Sequence, residues 1–146
     1  MIRAYYDVSY LMKLQCSEHG STEVGLHVRT MDVIYCCMHG RAEFVSACHR
    51  KIREGAATPA QLEAFLAQME ADTAAGGLCW LPLTDSVIQR VEAAYRQATT
   101  ATYLRAADAM HLACAAENQF TEIYSNDRHL LAAAPLFGLT GLNVIP

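Results

Sequence analysis

The sequence predicts an α/β fold with a mostly parallel central sheet of about five strands. Short apolar segments alternate along the chain with longer segments in which apolar residues recur at helical spacing. Strands that alternate with helices in this way are typical of parallel sheets. With 146 residues, of which 53% are hydrophobic, we expect one domain, covering residues 1–146, with a substantial core.

The predicted strands are short segments of apolar, β-branched and aromatic residues. Pro82 lies inside the third of them and indicates a strand end or an edge position, because proline cannot donate a hydrogen bond to a neighbouring strand. The predicted strands span residues 2–6, 32–37, 78–83, 122–125 and 142–145.

The predicted helices are placed by their start and stop signals. Thr58-Pro59 gives the clearest start, with threonine at the N-cap and proline at the first helical position. Ser9 is predicted to cap the first helix, and Gly55 to end the third. The predicted helices span residues 9–16, 21–29, 41–54, 59–75, 85–96, 104–115 and 127–134.

Composition and charge exclude several classes of protein. The net charge of −4 argues against a general polyanion binder, although cations held at an acidic site can still bridge to a nucleic acid. No cationic leader or membrane-spanning apolar run is seen, and we expect a cytoplasmic protein. None of the cysteines forms a C-x-x-C pair, so we expect reduced core thiols rather than a zinc cluster or disulfides.

Four acidic residues stand out from the apolar pattern. Asp108 lies at the edge of an apolar helix face, where an unpaired buried carboxylate would be costly. Asp7 and Asp127 follow predicted strands, and Glu43 lies on the helix after the second strand. Sites in parallel sheets form at the carboxyl ends of the strands. We therefore expect these four acids to meet at one edge of the sheet.

Each of these residues also has an ordinary structural explanation. Asp7 and Asp127 can act as helix-capping or turn residues, and Glu43 can be a solvated helix residue. His111 lies one helical turn from Asp108 and is better explained as a hydrogen-bonded structural histidine than as a ligand or base. The argument for a site depends on the four acids acting together.

Three local motifs resemble those of the PIN domain, a metal-dependent ribonuclease fold. They are Tyr6-Asp7-Val8-Ser9, the segment Leu104-Arg105-Ala106-Ala107-Asp108-Ala109-Met110-His111-Leu112-Ala113, and Ser125-Asn126-Asp127. The chain is most similar to the toxins of bacterial VapBC toxin–antitoxin pairs. It departs from the family upstream of Glu43, where Cys37 and Gly40 stand in place of small hydroxyl residues.

The resemblance implies a three-layer α/β/α fold and an endoribonuclease that uses Mg²⁺ or Mn²⁺. The implied metal site consists of Asp7, Glu43, Asp108 and Asp127, whose hard oxygen ligands favour these ions. Ser9, Ser125 and Asn126 are expected to make polar contacts around the carboxylates. The basic residues expected to hold RNA phosphates are Arg41, Arg50, Lys51, Arg53, Arg105 and Arg128.

The same resemblance implies two protein partners. One is a cognate VapB-type antitoxin, gripped by the second to fourth helices, and the other is a second copy of the chain in a homodimer. Phe44 and Phe65 are the aromatic residues expected at these contacts.

Two other classes of function remain as alternatives. A PIN-like domain can lose catalysis and serve as a binding scaffold. A phospho-acceptor receiver domain also combines a small α/β fold with an acidic Mg²⁺ pocket, but it needs a lysine at the end of its last strand. The only lysines here, Lys13 and Lys51, lie early in the chain, which argues against a receiver.

Overall fold

A computed structural model describes residues 1–146, which form five strands, seven α-helices and one 3₁₀ turn. The strands are β1 (Arg3–Tyr5), β2 (Val33–Cys37), β3 (Leu78–Leu81), β4 (Glu122–Tyr124) and β5 (Thr140–Leu142). The helices are α1 (Val8–Gln15), α2 (Ser21–Val28), α3 (His39–Arg53), α4 (Pro59–Ala74), α5 (Asp85–Gln97), α6 (Ala106–Glu117) and α7 (Arg128–Ala133), followed by the 3₁₀ turn Ala134–Phe137.

All strand pairs are parallel, which confirms the predicted fold class. β2 lies between β1 and β3, and β4 pairs with β5. A single parallel bridge between Tyr6 and Tyr124 joins these two parts of the sheet. The Asp7 backbone N–H donates to the Tyr124 carbonyl at 3.1 Å, which places Asp7 directly at this junction.

Helices cover both faces of the sheet, as expected for three layers. Tyr5 ends β1 and Tyr6 follows it in extended backbone, so their side chains point to opposite faces. Tyr5 packs in a core with α5, α6 and α7, while Tyr6 packs in a second core with α1 to α4. Phe44 is completely buried in the second core, so the prediction that it contacts a partner is wrong. Phe65 is half-buried against the same core.

The cysteines match the expectation of reduced thiols in or near the core. All six cysteines are free, and Cys36, Cys37, Cys48 and Cys114 are buried. No helix of the chain combines the length and the apolar character that crossing a membrane requires.

The last strand differs from its predicted position. Residues 142–145 were predicted, but β5 is Thr140–Leu142. Beyond Leu142 the backbone turns to side-chain partners: the Val144 N–H donates to the Tyr10 hydroxyl at 2.7 Å, and the Ile145 N–H donates to the Asn143 side chain at 3.1 Å. Apolar content alone does not reveal this competition for the backbone N–H groups.

Helix starts also shift where side-chain caps differ from the predicted ones. α1 begins at Val8, because the Asp7 carboxylate, not Ser9, caps it by accepting from the Tyr10 N–H at 3.3 Å. α4 begins as predicted, where Thr58 and Gln61 form a reciprocal capping box.

Gly40 allows close packing between α3, β2 and α6. A Cβ atom at Gly40 would lie 2.6 Å from Cys36 Sγ and 3.4 Å from His111 Cε1. The glycine that departs from the family pattern therefore makes room for a buried thiol and for the His111 ring.

Replacing Gly40 with alanine is expected to destabilise the protein by about 1–3 kcal/mol, because overpacking forces buried neighbours to shift. Urea unfolding measures the change. Gly25→Ala is the matched control: Gly25 also lies in a helix, and nothing lies within 4 Å of the added Cβ. The control should be neutral or stabilised by up to about 1 kcal/mol. Equal stability of the two variants would contradict the packing argument.

Candidate active site

Asp7 is a buried carboxylate at the junction of β1 and β4. Its Oδ1 accepts from the Ser9 hydroxyl at 2.6 Å, and its Oδ2 accepts from the Ser125 hydroxyl at 2.6 Å. Burial raises the pKa of Asp7, and the charge of His111 and the hydrogen bonds from Ser125 and Ser9 only partly oppose this effect. The two serines therefore fix both oxygens of an acid whose charged form is costly without a cation.

Asp108 and Asp127 are bridged by one guanidinium. Arg105 Nε donates to Asp108 Oδ2 at 3.1 Å, and Arg105 Nη2 donates to Asp127 Oδ2 at 2.8 Å. Asp127 also caps α7, since its Oδ1 accepts from the His129 N–H at 2.8 Å. Burial raises the pKa of Asp108, and Arg105 partly opposes the rise. The arrangement shows that the space between these carboxylates accepts a cation.

Glu43 is held by two histidines. Its Oε1 lies 2.5 Å from His111 Nε2 and 3.3 Å from His39 Nε2. Burial raises the pKa of Glu43, but the hydrogen bond from His111 and the two nearby imidazoles outweigh burial and leave the pKa below its ordinary value. Glu43 is therefore ionised near neutral pH, unlike a buried acid without such partners.

A hydrogen-bond chain orients His111 toward Glu43. The Cys37 N–H donates to the Tyr5 hydroxyl at 2.9 Å, and that hydroxyl lies 2.7 Å from His111 Nδ1. Because a carboxylate only accepts, His111 Nε2 carries the proton shared with Glu43. Nδ1 accepts from the Tyr5 hydroxyl when the ring is neutral and donates to it when the ring is charged. His111 thus has the structural hydrogen bonds expected from the sequence.

One cavity of about 570 Å³ brings the four acids together. Asp7, Glu43, Asp108 and Asp127 all line it, although each comes from a different segment of the chain. Carboxylate oxygens are the ligands that Mg²⁺ prefers. The burial of Asp7 and Asp108 and the cation already seated between two of the acids fit a divalent ion at this end of the cavity.

The other predicted site residues divide into two groups. Ser9 and Ser125 contact Asp7, as described above, whereas the Asn126 side chain accepts from the Asn143 amide at 3.0 Å and contacts no carboxylate. Arg50, Lys51 and Arg105 line the cavity. The basic residues that do not line it are Arg41, Arg53 and Arg128.

Arg41 faces a separate groove. Its guanidinium lies 5.9 Å from the centre of the Trp80 ring, among residues of α3, α4 and β3. The prediction from sequence placed Arg41 with the other basic residues because it lies on the same helix. It occupies another face of that helix, so the structure does not bring it to the acids.

Two residues that line the cavity, Lys13 and Glu18, and the neighbouring His39 were missed from the sequence. Glu18 binds both Lys13 Nζ and Lys51 Nζ at 3.1 Å, and Lys13 is only 8% exposed. Lys13 lies four residues after Ser9, and His39 lies four residues before Glu43. That spacing places each pair on one helix face and is the signal that could have identified Lys13 and His39. Glu18 lies in a loop and has no comparable signal.

Removing the charge of Asp7 should change how stability depends on pH. Because burial raises the pKa of Asp7 in the folded state, the protonated acid is favoured there. Stability linked to this group is complete below the ordinary aspartate pKa of about 3.9 and is lost as pH rises through the folded pKa. In a chelator, Asp7→Asn should therefore gain stability relative to the unchanged protein as pH rises.

Urea unfolding of both proteins from about pH 4 to pH 8 tests this expectation. Ser125 can keep its hydrogen bond to the asparagine because a hydroxyl can both donate and accept. A constant stability difference at every pH would show that ionisation of Asp7 carries no folding cost.

Comparisons with known proteins agree with the fold and cover nearly all of the chain. The VapC20 toxin of Mycobacterium tuberculosis, described as cleaving the sarcin–ricin loop, has a TM-score of 0.71 at 13% identity, with 89% of this chain and 94% of that chain covered. VapBC2 from Rickettsia felis, solved with a promoter DNA fragment, has a TM-score of 0.72 at 9% identity, with 97% and 98% covered.

The structure of FitAB bound to an IR36 DNA fragment has a TM-score of 0.63 at 12% identity, with 98% of this chain and 96% of that chain covered. At these identities the likeness shows a shared fold. A search of curated proteins finds no match. The family model described as the PIN domain matches residues 4–135, and the chain therefore belongs to the PIN domain family.

Proposed function

We propose that this protein is a metal-dependent endoribonuclease and the toxin of a VapBC-type toxin–antitoxin pair. The observation that carries the proposal is the single cavity lined by Asp7, Glu43, Asp108 and Asp127. Membership of the PIN domain family and the fold shared with VapC toxins support the toxin nuclease class. The whole of residues 1–146 is proposed to act as one nuclease domain.

The proposed catalytic group consists of the four carboxylates, with Mg²⁺ or Mn²⁺ as the cofactor. When bound, such an ion supplies charge stabilisation at the scissile phosphate and lowers the pKa of a coordinated water. Asp7, Asp108 and Asp127 hold the ion directly or through water, because Mg²⁺ keeps several of its waters. Ser9 and Ser125 keep the Asp7 carboxylate in place.

Glu43 is proposed to orient the attacking water. Both histidine contacts fall on Oε1 of Glu43, so Oε2 has no protein partner and can accept a hydrogen bond from water. The lowered pKa of Glu43, caused chiefly by the hydrogen bond from His111 acting against burial, keeps this carboxylate ionised. His111 is thus a positioning residue in this reaction.

The basic end of the same cavity is proposed to hold the RNA backbone. Lys13, Arg50 and Lys51 line the cavity together with the acids. The Arg105 side chain is 58% exposed, and with Asp108 and Asp127 holding a metal ion its guanidinium would be free to contact a phosphate. Positively charged side chains of the cavity could then contact RNA phosphates on both sides of the scissile bond.

The partners proposed for this chain are a VapB-type antitoxin and a second copy of itself. VapBC2 and FitAB, whose solved structures share this fold, are bound to DNA fragments according to their descriptions. The competing proposal is a catalytically silent binding scaffold. It would have the same fold and the same cavity as the nuclease but would not cleave RNA.

Cleavage of RNA should require both the metal ion and the carboxylates. With Mg²⁺ or Mn²⁺, the purified chain should cut a structured RNA, and Asp108→Asn should lose at least about 100-fold of the rate, because even residues that only support metal ligands cost 10–100-fold. Glu63→Gln, which removes an exposed acid of α4 far from the cavity lining, is the matched control.

Equal cleavage by Asp108→Asn and the unchanged protein would reject the nuclease assignment. Absence of cleavage together with absence of Mn²⁺ binding in calorimetry, in a folded protein, would favour the scaffold.

RNA affinity should depend on Arg50 but not on Arg41. Each phosphate neutralised on single-stranded nucleic acid adds about 0.7 to the slope of log affinity against log salt concentration. Arg50→Ala should reduce that slope by roughly this amount. Arg41→Ala removes an equal charge from the same helix but from the Trp80 groove, and should leave the slope unchanged. RNA binding by both variants is measured in Ca²⁺ at several salt concentrations. Equal slopes for Arg50→Ala and Arg41→Ala would contradict the proposed position of the RNA backbone.

A further inference from the structure

A second set of possible metal ligands overlaps the acidic end of the cavity. His39, Glu43 and His111 each offer one ligand atom, and these three atoms all lie within 4.8 Å of one another. Glu43 Oε1 lies 3.3 Å from His39 Nε2 and 2.5 Å from His111 Nε2, and the two imidazole rings are 4.1 Å apart at their centres. Two nitrogens and one oxygen form a donor set different from the four carboxylates.

The spacing of these atoms is close to that of a tetrahedral zinc site. Ligand atoms at zinc distances of about 2.0–2.1 Å lie about 3.3 Å from one another in a tetrahedron. Glu43 and His39 already have this spacing, while Glu43 and His111 must separate by less than about 1 Å. Imidazole nitrogen favours zinc and similar transition metals over Mg²⁺.

The His111 ring is held in a fixed orientation, as the rings of metal-binding histidines generally are. The Tyr5 hydroxyl contacts its Nδ1 at 2.7 Å and leaves Nε2 directed at Glu43. Metal-binding histidines generally donate their other ring N–H to a partner that fixes the ring. Zinc on Nε2 would take the place of the proton shared with Glu43, and that proton would move to Nδ1 and be donated to the Tyr5 hydroxyl. Gly40 provides the space next to His111 Cε1 that a Cβ atom would restrict.

His39 is the adjustable member of the set. It lies one helical turn before Glu43 at the start of α3, and its Nε2 lies 3.0 Å from the Ala107 carbonyl. Its Nδ1 is buried and makes no hydrogen bond. His39 Nε2 donates to the Ala107 carbonyl, so a cation bound through this atom would replace that hydrogen bond, and the proton would move to Nδ1 on the side of the ring away from the cation. The nearby Cys37 side chain is the potential partner of the ring there.

We propose that His39, Glu43 and His111 form a zinc site whose fourth position opens to the cavity. Glu43 and His111 line that cavity, so water or a phosphate oxygen can complete the coordination. Because Glu43 belongs to both ligand sets, zinc held by the histidines withdraws it from the Mg²⁺ site. Zinc therefore inhibits cleavage; this consequence, unlike the binding itself, rests on the proposed function.

Cobalt(II) binding tests the site directly, because tetrahedral Co²⁺ absorbs visible light and reports its ligands. Untagged protein with excess Mg²⁺ is titrated with Co²⁺. The unchanged chain and Asp108→Asn should give the tetrahedral spectrum, and His39→Gln should bind at least about 100-fold more weakly. His49→Gln, which removes an exposed histidine of the same helix, is the matched control.

Three results would overturn the proposal. They are unchanged Co²⁺ affinity in His39→Gln, loss of binding in Asp108→Asn, and a thiolate-to-metal charge-transfer band, which would place the ion on cysteine. Zinc X-ray absorption of the unchanged protein does not depend on the folding of any variant. It should show two imidazole ligands, and a shell of oxygen or sulfur alone would also reject the site.

Zinc titrated into a Mg²⁺-dependent cleavage assay separates this proposal from the nuclease proposal. Loss of cleavage on zinc addition in the unchanged protein, with resistance in His39→Gln, supports both. Cobalt binding to the histidines in a protein that never cleaves RNA rejects the nuclease and keeps the zinc site. Cleavage that zinc does not affect, in a protein that gives no tetrahedral cobalt spectrum, rejects the zinc site and keeps the nuclease.

Discussion

The junction between β1 and β4 is the constraint on which the fold and the site both depend. Only the Tyr6–Tyr124 bridge joins the two parts of the sheet, and the Asp7 N–H donates to the Tyr124 carbonyl beside it. The Ser125 hydroxyl then donates to the Asp7 side chain at 2.6 Å. The residue that closes the sheet is therefore also the most buried acid of the cavity, so the spacing of the carboxylates follows from strand pairing rather than from loop conformation.

Charge in the cavity is balanced in two separate ways. At one end, buried acids are offset by Arg105 and by the histidines around Glu43. At the other end, Glu18 holds Lys13 and Lys51 together. Both ends thus contain internal counter-charges that partly offset the charged groups of the cavity. Such pairs also leave charged groups available when a more strongly charged ligand, such as a phosphate backbone, enters.

Local sequence patterns identified most of the fold and much of the candidate site, because each pattern reports on a nearby physical requirement. Asp7, Asp108 and Asp127 follow strands or interrupt an apolar helix face, and the parallel sheet then places them at one edge. The Glu43–His39 contact follows the i,i+4 spacing of a helix. By contrast, the link from Glu18 to Lys51 spans 33 residues, and the end of β5 depends on a distant tyrosine hydroxyl. Tertiary contacts of this kind leave no periodic signal.

For an ion bound as proposed, the Arg105 bridge makes uptake an exchange of partners. A guanidinium already occupies the gap between Asp108 and Asp127, at 3.1 Å from one and 2.8 Å from the other. An ion held by these two aspartates, as proposed, would displace that side chain, so its measured affinity would reflect the competition between the ion and the guanidinium for the same carboxylates. Under that proposal the chain carries its own competitor for the cofactor, and the ion concentration needed to load the centre depends on residue 105 as well as on the acids.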